Sequence, residues 1–170
     1  MAKAQALEFA NKAYGTVTES AANTLTFAQI QTNISIMEKI AWVISRIEWV
    51  FTAAQIALLV DDADAYDVSL TASNKISTLA LSDPMVIDFL SIRKFVSTAV
   101  GWQYITPMWI RDFSQLPGGG LIVAPNPLYL AVKGTGLASA GGVSARIYWS
   151  KLEVSPDQYL ELLDFYRIVQ

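Results

Sequence analysis

From Lys39 to Phe51 the apolar residues alternate, change parity and alternate again: Ile40, Trp42 and Ile44 share one face, then Ile47, Trp49 and Phe51 take up the other set of positions. A period of two marks a strand, and one extra residue exchanges its faces. The pattern therefore predicts a strand with a β-bulge near Ser45, or else a strand buried on both sides. Thr24 to Ile36 sets Leu25 and Phe27 against Thr24 and Thr26 and is rich in β-branched residues, which also predicts a strand. Tyr66, Val68, Leu70 and Ala72 alternate with Asp67, Ser69 and Thr71, as expected of a half-exposed strand. Further strands are expected over 92–99, 102–113, 121–123, 128–133 and 143–154, broken at Gly101, Pro107, Gly118 to Gly120 and the Pro125-Asn126-Pro127 turn. Gly134 to Gly142 (GTGLASAGG) is expected to be a flexible loop, and Ala53 to Val60 fits a helical turn as well as a strand.

Two helices are predicted from their start signals. Asp83-Pro84 offers an N-cap and a proline at the first helical position, followed by the apolar positions Val86, Ile87 and Leu90. Ser155-Pro156-Asp157-Gln158 fits a capping box that opens a helix of about three turns, running to Ile168. That terminal helix is apolar nearly all round, with Tyr159, Leu160, Leu162, Leu163, Phe165, Tyr166 and Ile168, so its own domain can cover one side and a neighbouring subunit the other. Residues 1–23 are alanine-rich and read as an N-terminal arm with at most one helical stretch, leaving 24–170 as the folded domain. Many strands, a short internal helix, a C-terminal helix and Gly/Pro turns describe an all-β fold, a two-sheet sandwich or jelly roll.

Composition narrows the chemistry. The 170 residues contain no histidine and no cysteine, which excludes Ser-His-Asp and Cys-His catalysis, thiol redox chemistry and His or Cys metal sites. Hydrophobic residues make up 53% and charged residues only 16%, where about 25% charged is ordinary, so a partner surface is expected to cover part of the chain. Net charge is −3 and the twelve Lys and Arg are scattered, with no more than two adjacent (Arg93, Lys94), so direct nucleic-acid binding is not expected. The uncharged run Phe113 to Val132 is broken by Pro117, Pro125, Pro127 and three glycines and does not read as a membrane helix. Met1-Ala2-Lys3-Ala4 lacks the apolar core of a signal peptide, and the expected address is the cytoplasm.

Each candidate site has a simpler reading. Asp61, Asp62 and Asp64 with Asp67 could offer oxygen ligands to a calcium-like cation, but they lack the glycine and terminal glutamate of an EF-hand, and a solvated turn is the simpler account. Glu48 and Glu153 lie in strands beside Trp49 and Trp149 and could serve a glycosidase. Each also lies two residues from a cation, Arg46 or Lys151, which suits a same-face ion pair. The five tryptophans, Trp42, Trp49, Trp102, Trp109 and Trp149, suit a sugar-stacking platform or, more simply, core and interface anchors. Gly118-Gly119-Gly120 lacks the Lys-Ser/Thr pair of a phosphate loop and reads as a turn or a close backbone approach. No catalytic residue, metal site or cofactor is assigned.

The segments IAWVISRIEW, DPMVIDFLSIRKF and PGGGLIVAPNPLYLAVKGTGLASAGGVSARIYWSKLEVSPDQYLELLDFYR together resemble the single-jelly-roll capsid proteins of tail-less icosahedral viruses of bacteria and archaea. The nearest group is the small major capsid protein of membrane-containing Thermus phages and their haloarchaeal relatives, and the resemblance spans about residues 24–168 as a pattern of strands, glycine loop and capped helix. It implies a structural subunit without catalytic residues. Such a subunit associates as a dimer, pairs with a second capsid protein above an inner viral membrane, and is found in the virion after assembly in the host cytoplasm. The chain is neither charge-rich, as thermophile proteins usually are, nor strongly acidic. Under this reading the candidate interface residues are Trp42, Trp49, Trp109, Trp149, Tyr159, Leu162, Phe165 and Tyr166. The remaining alternatives are a carbohydrate-binding sandwich and a small carboxylate glycosidase.

Overall fold

A computed structural model describes residues 11–31, 40–61, 63–93, 108–124 and 127–167, with the backbone alone at 159 and 163–167. In chain order the elements are β1 (Asn11–Thr18), β2 (Thr26–Gln29), β3 (Ile40–Val50), α1 (Ala53–Ile56), β4 (Ala65–Thr71), β5 (Val86–Arg93), β6 (Met108–Asp112), β7 (Leu121–Val123), β8 (Tyr129–Thr135), β9 (Gly142–Glu153) and α2 (Pro156–Arg167). They form two antiparallel sheets. The larger has the order β1-β9-β3-β6, with β7 beside β6 on the same edge of β3; the smaller has the order β2-β8-β4-β5. The fold is an all-β sandwich. Pairing is nested: β1 with β9, β2 with β8, β3 with β6 and β7, β4 with β5.

The sheets meet through Ile44, Ile47, Trp49, Ile147 and Trp149 on one side and Tyr66, Val68, Leu70, Leu130 and Val132 on the other, all in one apolar cluster. Each fully buried aliphatic side chain there contributes roughly 1.5–3 kcal/mol. The bulge falls where the parity change placed it. The β3–β9 register shifts between Ile44 and Arg46, leaving Ser45 as the extra residue. Its backbone carbonyl accepts the Phe113 N–H at 2.8 Å, and its hydroxyl donates to the Tyr148 carbonyl at 3.3 Å. Behind it, Gly118 and Gly119 take φ of 87° and 79°, and a side chain on Gly120 would collide with the Ile44 carbonyl. The triple glycine is thus both a turn and a close backbone approach.

Several expectations are corrected. Residues 11–18 do not belong to an arm: β1 is a strand of the larger sheet and buries Ala13 and Val17, so the folded domain begins earlier than residue 24. The remainder of that arm, 1–10, lies outside the described residues. Of the strand expected over 24–36, only Thr26–Gln29 is in a strand, and 32–36 lie outside the described residues. Ala53–Ile56 is a helical turn, fixed by a Thr52–Gln55 capping box. Asp83-Pro84 opens a turn, not a helix. The Asp83 carboxylate accepts the Met85 N–H at 2.9 Å, and strand β5 follows at once. The strand at 66–72 is buried on both faces, because Ser69 and Thr71 are covered and their hydroxyls donate to the carbonyls of Asp88 and Ser73. Of the strands expected over 92–99 and 102–113, residues 94–107 lie outside the described residues.

The Gly134 to Gly142 connection is pinned. Glu19, almost fully buried, accepts the N–H groups of Gly134 (2.6 Å) and Gly141 (2.8 Å) on its two carboxylate oxygens, while its own N–H donates to the Gly141 carbonyl. Asn23, at φ 62°, donates to the Leu137 carbonyl and accepts the Leu137 N–H, so its amide pairs like a strand residue. Leu137 is thereby drawn into the core. Nearby Tyr66 donates to the Gln55 carbonyl at 3.0 Å.

At the opposite side of the sandwich, Asp88 of β5 faces the core and is only 2% exposed. It accepts from the Trp49 indole N–H at 3.3 Å and from Arg111 Nε of β6 at 3.1 Å, tying the two sheets together. Burial pushes its carboxyl above the usual carboxylate range, against the opposing pull of Arg111 and Trp49.

Two predictions rest on these clamps. Burial first, and the Glu19 charge second, push the Tyr66 hydroxyl up to about 12. A raised folded value favours the neutral form, so this stabilisation is fully present below about pH 10 and is lost as pH rises towards 12. Alkaline denaturation should show the loss, and Tyr66→Phe should remove that share of the pH dependence. For Asp88 the sign is the same: its raised value favours the protonated fold at low pH, and that favour fades as pH rises through it. Arg111→Ala, which strands a buried carboxylate, should therefore cost about 2–3 kcal/mol in urea unfolding at pH 7. The cost should shrink towards pH 5, and Asp88→Asn should cost less.

Candidate functional site

The bulge that keeps Ile44 and Ile47 on one face also sends Arg46, Glu48 and Val50 to the outer face of the larger sheet. Register then sets three cross-strand rows on that face: Lys12–Tyr148–Arg46–Asp112, Tyr14–Arg146–Glu48–Ile110, and Thr16–Ser144–Val50–Met108. Residues that are isolated in sequence become neighbours, with β1 and β9 contributing from opposite ends of the described chain.

Glu48 is the centre of this face and is only 4% exposed although it points outward. Its Oε1 lies 2.5 Å from Arg46 Nη2, its Oε2 lies 3.5 Å from Arg146 Nη1, and the Tyr148 hydroxyl donates to Oε2 at 3.3 Å. The two arginines cover the acid while remaining about half exposed themselves. The Tyr148 ring in turn holds Lys12 Nζ at 5.4 Å and the Arg46 guanidinium at 5.5 Å from its centroid, both within cation–π range. At the rim, hydrogen bonds from Ser114 hold the Asp112 carboxyl below the usual carboxylate range, helped by the Arg46 charge.

Around this polar centre lie exposed apolar side chains: Tyr14 (61%), Met108 (41%) and Ile110 (47%) in the rows, and Ile122 (45%), opposite Val43 on the same face. The other large exposed hydrophobics among the described residues, Val60, Leu81, Leu116 and Leu160, lie elsewhere. A solvated face normally carries such residues singly, whereas here four lie on one sheet face. The chemistry available is packing, cation–π contact and charge pairing. Both carboxylate oxygens of Glu48 have partners, Arg46 on Oε1 and Arg146 with Tyr148 on Oε2.

The interface residues expected from sequence divide differently. Trp42, Trp49 and Trp149 are not at a surface: they are core residues, 0%, 0% and 8% exposed. Trp42 and Trp149 stack at 4.1 Å between centroids and 8° between planes, so their size fills the sandwich. Trp109, opposite Trp49, is half-buried on the core side. Leu162 is half-buried; the side chains of Tyr159, Phe165 and Tyr166, and all of Trp102, lie outside the described residues. Buried tryptophans also cannot serve as the sugar platform they suggested.

The two glutamates weighed as a catalytic pair are apart. Glu48 pairs with Arg146 and Glu153 with Ile40, and the two glutamates point to opposite faces. Along β9 they are about 23 Å apart at roughly 3.3 Å per residue, whereas glycoside hydrolysis needs about 5–9.5 Å. The acidic turn is not simply solvated: Asp64 is buried and accepts the N–H groups of Val60 (2.7 Å) and Asp61 (2.8 Å), which closes the turn. Asp62 lies outside the described residues. Among those described, no group of three or more acidic side chains is placed to hold a metal ion.

Sequence reasoning singled out Glu48 and its Arg46 partner but missed Lys12, Tyr14, Arg146, Tyr148 and Ile110. Nothing local marks these residues; only the pairing of β1 with β9 and of β3 with β6 assembles them. Comparison with protein-family models, curated proteins and solved structures finds no match to this chain.

A double-mutant cycle on Arg46→Ala and Glu48→Gln should return a coupling of about 1 kcal/mol, above the median of exposed pairs because one partner is buried. A coupling near zero in urea denaturation would show that Arg146 and Tyr148 alone hold Glu48.

Proposed function

We propose that the chain is a structural subunit of a viral capsid, which performs no chemistry and builds a shell by associating with copies of itself. The observation that carries this reading is the outer face of the larger sheet, where Tyr14, Met108, Ile110 and Ile122 are exposed together around a neutralised polar centre. The nested strand order supports it. First pairs with last and second with second-last, split as β1-β9-β3-β6 and β2-β8-β4-β5, an order that suits a sheet rolled up as two Greek keys. That jelly-roll plan is common among viral capsid domains. A chain with no histidine, no cysteine and 16% charged residues suits a protein whose surface is largely given to neighbours.

Partners on this reading are a second copy, forming a dimer, and a second capsid protein, with an inner viral membrane beneath the shell. Lys12, Arg46 and Arg146 do gather on one face, but Glu48 and Asp112 lie among them, so the face is not a phosphate-binding patch. Its place is the virion, after assembly in the host cytoplasm. Light scattering coupled to size-exclusion chromatography, followed by negative-stain microscopy, should find dimers or larger assemblies that grow with concentration. A chain that remains monomeric at high micromolar concentration in every salt overturns the proposal.

A further inference from the structure

The outer face of the larger sheet is arranged symmetrically in a way that only the register shows. Its strands lie in the order β1-β9-β3-β6, so a line midway between β9 and β3 divides each cross-strand row into two halves. In one row that line sets Lys12 on β1 against Asp112 on β6, a cation and an anion equally far from it, with Tyr148 and Arg46 between them. In the next row it sets apolar Tyr14 against apolar Ile110, and Arg146 against Glu48. Each half of a row is the chemical complement of the other half.

A face with that property is complementary to itself. A two-fold axis above the dividing line and parallel to the strands lays a second copy face down, its β6 over β1 and its β9 over β3. Lys12 of each copy then meets Asp112 of the other, and Tyr14 meets Ile110. The Glu48–Arg146 pairs come together head to tail, so each arginine keeps its own glutamate and also lies over that of the other copy. An axis across the strands does not do this. Through the row of Tyr14 it puts Arg146 on Arg146 and Glu48 on Glu48, and between the two rows it puts the Asp112 carboxylate on Ile110.

We infer that two copies dimerise outer face to outer face about an axis parallel to the strands, with Lys12 of each opposite Asp112 of the other and Tyr14 opposite Ile110. The inference rests on the self-association proposed above and names the surface and the pairing that carry it. The second copy is the occupant because the charges and apolar side chains of this face match its own mirror order, row by row. Lys12 and Asp112 are also available for such a contact. Among the described residues neither forms a salt bridge: Lys12 lies over the Tyr148 ring, and Asp112 accepts the Ser114 N–H. Stacked sheets lie about 10 Å apart with their strands within about 30° of each other, a gap that a lysine and an aspartate reach across from opposite sides.

The test uses the full chain with Lys12→Glu, Asp112→Lys and the two together, each checked for an unchanged thermal midpoint. Sedimentation equilibrium should show each single variant dimerising about tenfold more weakly than the parent, because two like-charge contacts replace two opposite ones. The double variant should recover parental affinity, and so should an equimolar mixture of the two single variants, since both restore opposite charges at both contacts. Lys75→Glu, exposed in a loop away from this face, makes the same change in net charge as Lys12→Glu and should leave the affinity unchanged. If the parent self-associates but Lys12→Glu weakens it no more than Lys75→Glu, or neither the double variant nor the mixture recovers affinity, the pairing of these faces is wrong and the self-association proposal stands on another surface. If the parent is monomeric throughout, the broader proposal itself fails.

Discussion

One surplus residue in β3 determines which side of the larger sheet is inside. Without the bulge at Ser45, Ile47 and Trp49 would turn to solvent, and Arg46 and Glu48 would face the core. With it, an eleven-residue strand keeps two apolar runs of opposite parity on one face. The rest follows from that accommodation. Trp49 reaches Asp88 of the other sheet, the Gly120 backbone fits against Ile44, and Phe113 closes the Ser45 carbonyl. The outward residues Arg46 and Glu48 then become the centre of the only face on which four large apolar side chains lie exposed among the described residues. The core face and the outer face are thus two consequences of one backbone irregularity.

Buried carboxylates hold the remaining geometry. Asp88 joins the sheets at one side, Glu19 fastens the β8–β9 connection, Asp64 closes a turn, and Glu48 organises the outer face. Each is nearly excluded from water, and each is supplied with N–H, O–H or guanidinium donors. In a chain with so few charges, these acids are positional devices. They specify which loop meets which strand at points where apolar packing alone is permissive.

How far the sequence could be read depended on whether information was local. The parity change in β3 and the Ser155–Gln158 capping signal are complete within a few residues, and both appear in the structure. β5 was hidden because Asp88 takes a core position and the register shift beside it brings Ile87, with Leu90 and Ile92, to the core, which leaves a pattern that mimics two helical turns. β1 was hidden because Gly15 and the small Ala13 occupy its inward positions before Val17, so its alternation is faint until it is paired with β9. The tryptophans misled for a related reason: aromatic anchors look alike in a core and at an interface until the second sheet is placed over them. The outer face, assembled from strands separated by more than a hundred residues, left no local trace.

The position of β9 in the larger sheet also has a consequence in time. It is the last strand in sequence order, yet it lies between β1 and β3 as the partner of both. Until β9 emerges from the ribosome, β1 has no edge to join and β3 lacks its longest neighbour, so the face that carries Tyr14, Arg146 and Tyr148 does not exist. The outer face is therefore completed only with the last strand described, whatever the earlier strands have already paired.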